Sequence, residues 1–483
     1  MKYKNTLTLV HIGLFMCSMS DGFIFGQMSG MIDALLGEDH SIEMTPDDVS
    51  LMAALINSTC LVGFIVAGVV TEIFGRRRAL TVLTMPLAVC WIVVYFTTTK
   101  TVLLLTRLIV GVTFGGVLSI SFICVGEYAP PNMRQVFNNV VNGVGSQFGS
   151  ALGHILSIFI NWRIVALIGL LPAIMSSVIP IFWVESPSWL ASKGRFDECR
   201  KAYRSLHAMN SEDENELENL IALEKKKNAA IKEKNHTPTP VGRLIWACKQ
   251  LYVWKIIFLG VMTNFYRIAA MRIIFNTMAL TILRDLTGYA NLWMTVLLVD
   301  GFGLIGAIIS CVFVKLFKLR SLLFVLGIIG NIVLIILSIV LYLRPEIDFW
   351  MSWVKALLLA LYLIIVNSGP YPALETLYTE IYPLEIKAFG IFVTATVAGI
   401  FQFLAVKYSP GLFASIGYHA VFLIYAFIIF VVLGYLWIAL PETKGQTLQQ
   451  IESYFHKSAK MSHGSSNDDV KETVSMLENQ LEP

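Results

Sequence analysis

Residues 61–96 read LVGFIVAGVVTEIFGRRRALTVLTMPLAVCWIVVYF, two apolar runs joined by Gly75 and the basic triplet Arg76-Arg77-Arg78. A helix of roughly 20 apolar residues is long enough to cross the hydrocarbon core of a bilayer. A basic turn between two such runs is typical of a membrane protein whose turn lies in the cytoplasm. The stretch therefore predicts a helical hairpin embedded in lipid.

The composition of the whole chain agrees with this interpretation. Of 483 residues, 56% are hydrophobic and only 14% are charged, and the mean hydropathy is +0.69. These values exclude a soluble enzyme, a nucleic-acid-binding protein and a disordered scaffold. No nucleotide-binding, hydrolase or metal-binding sequence motif is present, so we expect no enzyme activity, metal or cofactor. The expected surroundings are the lipid bilayer, with no nucleic-acid partner.

Apolar runs divided by Gly, Pro and charged residues predict twelve spans in two groups of six. The basic residues of the connections collect on one side, which places both termini in the cytoplasm. Four regions follow: an N-terminal half at 1–184, a cytoplasmic connection with short amphipathic helices at 185–252, a C-terminal half at 253–440 and a polar tail at 441–483. The predicted spans are 7–30, 51–74, 79–98, 102–125, 138–160, 163–184, 253–277, 290–314, 320–343, 354–377, 388–409 and 415–440.

A repeated charge pattern relates the two halves. Glu127 precedes Arg134 by seven residues at the end of span four, and Glu380 precedes Lys387 by seven at the end of span ten. Two halves of six spans around a central cavity are typical of secondary transporters, which bind their substrate near the middle of the bilayer between the halves.

The motifs resemble those of the sugar porter family of the major facilitator superfamily, and most closely those of the facilitated trehalose and hexose carriers of arthropods. The resemblance covers nearly the whole chain in order and implies an all-α membrane protein of twelve helices. The matching phrases are Gly68-x-x-x-Glu72-x-x-Gly75-Arg76-Arg77, Arg107-x-x-x-Gly111-x-x-x-Gly115, Glu127 to Arg134, Asn161-Trp162-Arg163, Glu185-Ser186-Pro187, Gly369-Pro370-Tyr371-Pro372 and Pro441-Glu442-Thr443-Lys444-Gly445.

Opposite charges collect at the predicted cytoplasmic helix ends. They are expected to form ion pairs that latch the two halves together, closing the cytoplasmic side in the outward-open state and separating in the inward-open state, which the family resemblance also implies. The alternative is that the basic residues only follow the positive-inside rule and anchor the chain in the membrane. The predicted gating residues are Glu72, Arg76, Arg77, Glu127, Arg134, Glu185, Glu380, Lys387 and Glu442.

Asp21 and Arg107 are ionisable residues that fall inside predicted N-terminal spans. Arg107 needs a partner at membrane depth, and Asp21 is the candidate. In proton-coupled sugar porters an aspartate lies within a Gly-aromatic-Asp-x-Gly phrase, and Ile24 takes that place here. The difference favours a passive facilitator, although Asp21 beside Arg107 keeps proton coupling open.

A sugar site requires amide side chains, which donate and accept hydrogen bonds at once. The glutamine that the family carries in span five corresponds to Asn142 or to Gln147, depending on the register chosen. In span seven the family's Gln-Gln-x-x-Gly-x-Asn phrase is replaced, and charged residues appear there and in spans eight and ten. The predicted substrate-binding residues are Asn138, Asn142, Gln147, Asn264, Arg267 and Asn367, and the remaining intramembrane charges are Arg272, Asp300 and Glu375.

The predicted function is facilitated transport of trehalose or a hexose across the plasma membrane. A proton-coupled sugar symporter and a carrier of an organic ion or sugar derivative are the alternatives on the same fold. A sugar sensor that binds without transporting is the alternative from another class.

Overall fold

The computed structural model describes residues 2–37, 41–129, 133–206, 211–233, 251–288, 292–344, 348–382 and 387–440, and all regular structure among them is helical. Each predicted span lies on helix to within two residues at its ends. Ten helical segments of the described residues are long and apolar enough to cross a membrane. Ten segments account for twelve spans for two reasons. The segment Gly390–Ala439 contains both span eleven and span twelve, with a turn at Gly417 between them, and span five is divided into pieces too short to be counted. The prediction of an all-α membrane protein is therefore confirmed.

The described part of the N-terminal half contains seven α-helices. Its α2 starts with a capping box, in which the side chain of Thr45 accepts from the Asp48 backbone N–H and the Asp48 carboxylate accepts from the Thr45 N–H. The helices are α1 (Lys2–Leu36), α2 (Pro46–Phe74), α3 (Arg76–Phe96), α4 (Lys100–Tyr128), α5 (Arg134–Asn138), α6 (Ser146–Phe159) and α7 (Trp162–Val178), with a π-helical segment (Asn139–Gly145) before α6 and a 3-10 turn (Ile179–Phe182) after α7.

Three helices of the connection form a small separate cluster. Trp189, Leu190, Cys199, Tyr203 and Leu217 are buried against one another, which shows that these helices are amphipathic. They are α8 (Pro187–Ser192), α9 (Phe196–Leu206) and α10 (Ser211–Glu233).

The C-terminal half is also built from helices that follow the six predicted spans, but its helices are broken at other positions. It consists of α11 (Leu251–Ala269), α12 (Arg272–Thr287), α13 (Leu292–Leu316), α14 (Leu319–Leu343), α15 (Phe349–Ser368), α16 (Pro370–Glu380) and α17 (Lys387–Ala439).

Three predicted spans are not single helices. Span five is wound as a π-helix over Asn139–Gly145, a form that is common at functional sites. Span seven breaks at Met271, whose φ of 58° is left-handed, and Tyr362 Oη donates to the freed Ala270 carbonyl at 3.1 Å. Span ten breaks between Gly369 and Pro370, where proline has no N–H to continue the helix. Broken helices at membrane depth are tolerated where they are buried in protein or line a cavity, so these breaks indicate where to look for the site.

Glycines bring helix backbones into contact inside the N-terminal half. A Cβ on Gly149 of α6 would overlap the Met19 carbonyl of α1, and one on Gly115 of α4 would overlap the Cys60 carbonyl of α2. These glycines are therefore packing positions, where a small residue lets two helices approach closely.

Candidate substrate site and gating network

The basic motif between α2 and α3 forms a network of ion pairs. Arg76 Nη2 lies 2.7 Å from Glu127 Oε1, and Arg76 Nε donates to both oxygens of the same carboxylate. The contact is bidentate and partly buried, which makes it one of the stronger kinds of charged contact.

Gly75 allows a third carboxylate to join this network. Its φ of 86° suits glycine, and a Cβ there would overlap the Glu185 carboxylate. Glu185 Oε1 accepts from the backbone N–H groups of Arg76 and Arg77 at 2.9 and 3.3 Å, at the positive end of α3. The described contacts of this motif thus join the ends of three spans of one half, whereas the sequence analysis expected them to latch the two halves together.

The other predicted gating residues fall into three groups. Glu72 lies 3.5 Å from Arg76 and 3.4 Å from Lys193, and Arg77 Nη1 donates to the Trp183 carbonyl at 2.8 Å. Arg134 is exposed and forms no ion pair with the residues that the structure describes. The side chains of Glu380, Lys387 and Glu442 lie outside the described part.

The expected pair of Asp21 and Arg107 is not formed. Arg107 is fully buried, and its Nη2 donates to Gln27 Oε1 at 3.3 Å and contacts the Met31 sulfur. Asp21 is 4% exposed, and its Oδ1 has no partner within the described residues. The prediction was wrong because proximity in the span pattern does not fix helix rotation, and a neutral amide on α1 reaches the guanidinium instead.

The side-chain amides of Gln147 and Asn367, which belong to opposite halves, both lie next to Gly303 of α13. Asn367 Nδ2 donates to the Gly303 carbonyl at 3.3 Å, and a Cβ on Gly303 would lie 3.0 Å from Gln147 Nε2. Both amides are nearly inaccessible, and the oxygens Gln147 Oε1 and Asn367 Oδ1 have no partner among the described residues. Two unsatisfied acceptors beside two donors are suited to a ligand rich in hydroxyl groups.

A narrow polar cavity lies between the halves in the same region. Its volume is about 10 Å³, which is about the size of one water molecule. The broken segments of spans five and ten supply much of its wall, as the breaks suggested. The lining residues are Asn139, Gly143, Arg272, Ala307, Ser310, Asn367, Tyr371, Pro372 and Glu375.

The two arginines of span seven differ in their partners. Arg267 lies 3.5 Å from the Glu375 carboxylate and donates to Tyr371 Oη at 3.2 Å. Arg272 is 7% exposed, and its guanidinium lies 4.3 Å from the centre of the Tyr371 ring. It pairs with none of the carboxylates that the structure describes. The cavity wall therefore carries one uncompensated positive charge, and Tyr371 supplies the cation–π contact.

Three of the predicted substrate-binding residues form local bonds instead of lining this cavity. Asn142 Nδ2 donates to Asn138 Oδ1 at 2.8 Å, and Asn264 Nδ2 donates to the Gly260 carbonyl at 3.0 Å. Asn139, which the sequence analysis did not name, lies on the cavity wall. In span five, the π-helical winding explains why Asn139 and not Asn142 lines the cavity, since it rotates the span relative to the α-helical face that the spacing predicted.

Asp300 has a partner that the sequence analysis missed. His154 Nδ1 lies 2.9 Å from Asp300 Oδ2, and His154 Nε2 lies 2.9 Å from the Asn276 carbonyl. His154 follows Gln147 by seven residues, two helical turns along the same face, and that spacing could have identified it.

A larger cavity, of about 520 Å³, lies on the outer surface between α14 and α17. Its wall is almost entirely apolar, and Leu423, Phe427 and Phe430 on it are more than half exposed. A sugar needs polar partners, so this surface groove is not the substrate site.

Residues 7–455 match the family described as "Sugar (and other) transporter". The chain belongs to this sugar transporter family. The match spans both six-helix halves, and a member of this family is a transporter and not an enzyme.

Relatives of the sugar transporter include proteins from plants and insects. Sugar transporter ERD6-like 6 of Arabidopsis thaliana is 25% identical over 429 residues, covering 85% of this chain and 83% of the relative. The facilitated trehalose transporter Tret1 of Apis mellifera ligustica is 23% identical over 420 residues, covering 86% of this chain and 81% of the relative.

Among solved structures, the proton:xylose symporter XylE bound to 6-bromo-6-deoxy-D-glucose is similar. The TM-score is 0.73 at 18% identity, and the match covers 94% of this chain and 100% of that one. The inward-open conformation of XylE from E. coli gives a TM-score of 0.72 at 16% identity. These similarities confirm the predicted major facilitator fold.

Proposed function

We propose that this sugar transporter moves trehalose or a hexose down its concentration gradient by alternating access. Its membrane is the plasma membrane, and its termini lie in the cytoplasm. The basic connections on the side of both termini support this orientation.

The convergence of Gln147 and Asn367 on Gly303 carries the proposal. The two amides come from opposite halves, and each has a carbonyl oxygen that lacks a partner among the described residues. A sugar hydroxyl donates to such an oxygen and accepts from the adjacent N–H, so one ligand would bridge the halves. Binding that bridges the halves is what alternating access requires.

The size of the cavity indicates which step must accompany binding. Ligand pockets have volumes of roughly 300 Å³ or more, whereas the polar cavity has about 10 Å³. The halves must therefore part before a sugar enters, and the described conformation is one in which the site is closed.

Two features of α1 favour a facilitator over a symporter that uses Asp21. Ile24 occupies the place of the aspartate of proton-coupled relatives, and Asp21 makes no ion pair with Arg107. A change in the protonation of Asp21 would therefore not make or break an ion pair with Arg107, the buried cation that was expected to be its partner.

The test is uptake of labelled trehalose and labelled glucose into oocytes that express the protein, with and without a collapsed proton gradient. We expect saturable uptake of one of the sugars and a loss of at least tenfold in uptake for Gln147→Ala, because the loss of a bridging amide costs about 1.5 kcal/mol or more. Gln402→Ala on α17, outside the cavity, is the matched control.

The uptake experiment has two outcomes that count against the proposal. Binding of sugar without flux would favour a sensor, and equal loss in both variants would remove Gln147 from the site. Surface labelling of each variant separates loss of transport from loss of expression.

A second candidate substrate is an anionic sugar derivative, and the position of Arg272 favours it. A buried guanidinium without a carboxylate partner in the described part of the chain would attract a carboxylate or phosphate on the ligand. Competition of labelled glucose uptake by glucuronate and glucose tests this candidate. Preference for glucuronate that disappears in Arg272→Gln would support it, and preference for glucose in both proteins would oppose it.

A further inference from the structure

The contact between His154 and Asp300 joins the two halves of the transporter. His154 lies on α6 of the N-terminal half, while Asp300 on α13 and Asn276 on α12 belong to the C-terminal half. His154 is fully buried and Asp300 is 1% exposed. The ring of Phe275, 6.3 Å away in an edge contact, covers the histidine. The group is therefore a polar bridge that is shielded from water.

The two contacts of the His154 ring require one more proton than a neutral histidine and an ionised Asp300 carry together. A backbone carbonyl only accepts, so the 2.9 Å contact at Nε2 needs a hydrogen on Nε2. Neutral imidazole then has a bare lone pair on Nδ1, which would face Asp300 Oδ2 at 2.9 Å with no hydrogen between them. Both contacts are hydrogen bonds only when one further proton is shared by His154 and Asp300.

The neighbouring helices offer His154 no other charged partner within ion-pair distance in the described structure. Asp33 is paired with Arg284, and Tyr418 donates to Asp285. On the elements packed against α6, the ionisable side chains that the structure describes are His11, Cys17, Asp21 and Asp33 on α1, Arg163 on α7, Arg272, Arg284 and Asp285 on α12, and Asp300, Cys311 and Lys315 on α13.

We propose that His154 and Asp300 form a proton-binding latch that holds the two halves together and makes their separation pH-dependent. When the halves part at this point, water reaches the imidazole, which releases its proton near pH 6.5 in water. Closing takes up one proton and opening releases it, so acid favours the joined conformation. Asp21, which has no counterpart cation in the described structure, is not the proton site.

A nearby contact shows toward which face of the membrane the latch lies. Ser29 Oγ on α1 accepts from the Leu280 backbone N–H on α12 at 2.9 Å, one turn beyond Asn276. The latch thus lies toward the far face, which we define as the membrane face with the connections at residues 97–99, 160–161, 288 and 417. Opening of the far face must break it.

The first measurement does not depend on knowing the cargo. Spin labels on Thr101→Cys and Arg344→Cys, two exposed far-face positions on opposite halves, report their separation in the reconstituted full chain, with Cys248 and Cys311 changed to serine. We expect a short distance in acid and a growing longer-distance population as pH rises from about 5.5 to about 8.5, a range that spans ordinary histidine titration. In His154→Gln the distribution should not respond to pH, and in Asp21→Asn it should respond as in the parent protein.

The second measurement concerns transport, and its interpretation rests on the proposed function. Exchange of labelled glucose and labelled trehalose in proteoliposomes is followed at equal pH on both sides. The rate should rise with pH by up to about tenfold per unit, the limit for one proton, and should be flat in His154→Gln and Asp300→Asn.

The outcomes distinguish the two proposals. A pH-dependent distance without exchange of either sugar supports the latch and counts against the proposed function. An unchanged pH response in both His154→Gln and Asp300→Asn overturns the latch, and so does a response lost only in Asp21→Asn. Gel filtration identifies a variant that fails to fold, and the other member of the pair then decides the question.

Discussion

The contacts inside the N-terminal half differ in kind from those between the halves. Inside the half, α1 and α6 touch backbone to backbone at glycines, and Arg76 binds Glu127 and Glu185 around the ends of three spans. Between the halves helices also pack through apolar side chains, but the polar contacts are isolated pairs, such as Arg284 with Asp33 on the far face. A transporter needs rigid halves and a boundary that opens, so contacts inside a half should set stability while contacts between halves set conformation.

The largest effect is expected where backbones touch inside the half. Gly149→Val would place a branched side chain against the Met19 carbonyl and separate α1 from α6. We expect a loss of about 3 kcal/mol or more and little folded protein. Yield after gel filtration and the melting temperature in detergent measure it. Gly126→Val on α4 is the control, since a Cβ there meets nothing within 4 Å. Equal damage from both variants would show that valine in a span, and not the close approach, is responsible.

The next effect concerns the charge network of the same half. Arg76→Ala leaves Glu127, whose side chain is 17% exposed, without its bidentate partner. The expected loss of stability is about 2–3 kcal/mol. Thermal unfolding of Arg76→Ala, Glu127→Ala and the double variant measures the coupling between them. Arg78→Ala, an exposed position in the same motif, is the control and should change stability by less than about 0.5 kcal/mol. Additive losses would contradict a direct pairing.

The same division explains how far the sequence predicts the structure. The twelve spans and the gathering of Arg76 with acidic residues at the ends of the spans follow from hydropathy and from local motifs, but the choice of Glu127 as its partner does not. The contacts between halves do not follow, because they depend on how each helix is rotated. Asp21 was therefore paired with the wrong residue, and Asn139 and His154 were missed, since the π-helical winding of span five and the break at Met271 change which side chains face the boundary.

A contact between the halves should behave in the opposite way. Arg284→Ala removes the ion pair with Asp33, whose side chains are 16% and 21% exposed. We expect the far face to open more often, with a shift of about 1 kcal/mol or about fivefold in population, and little change in melting temperature. The distance between labels at Thr101→Cys and Arg344→Cys measures the population. A fall in melting temperature as large as that of Arg76→Ala would show that this pair holds the fold and not the conformation.

The smallest effect is expected at the rim of the same boundary. Lys407 on α17 lies 2.6 Å from Asp47 at the start of α2, but the Asp47 side chain is 85% exposed. Water and salt screen such a pair, so Lys407→Ala should shift the population by less than about 1 kcal/mol, and the shift should disappear near 1 M salt. The same spin-label distance, compared at low and high salt, measures it. A salt-independent effect larger than that of Arg284→Ala would place the main closure of the far face at α2 and α17 instead of at α1 and α12.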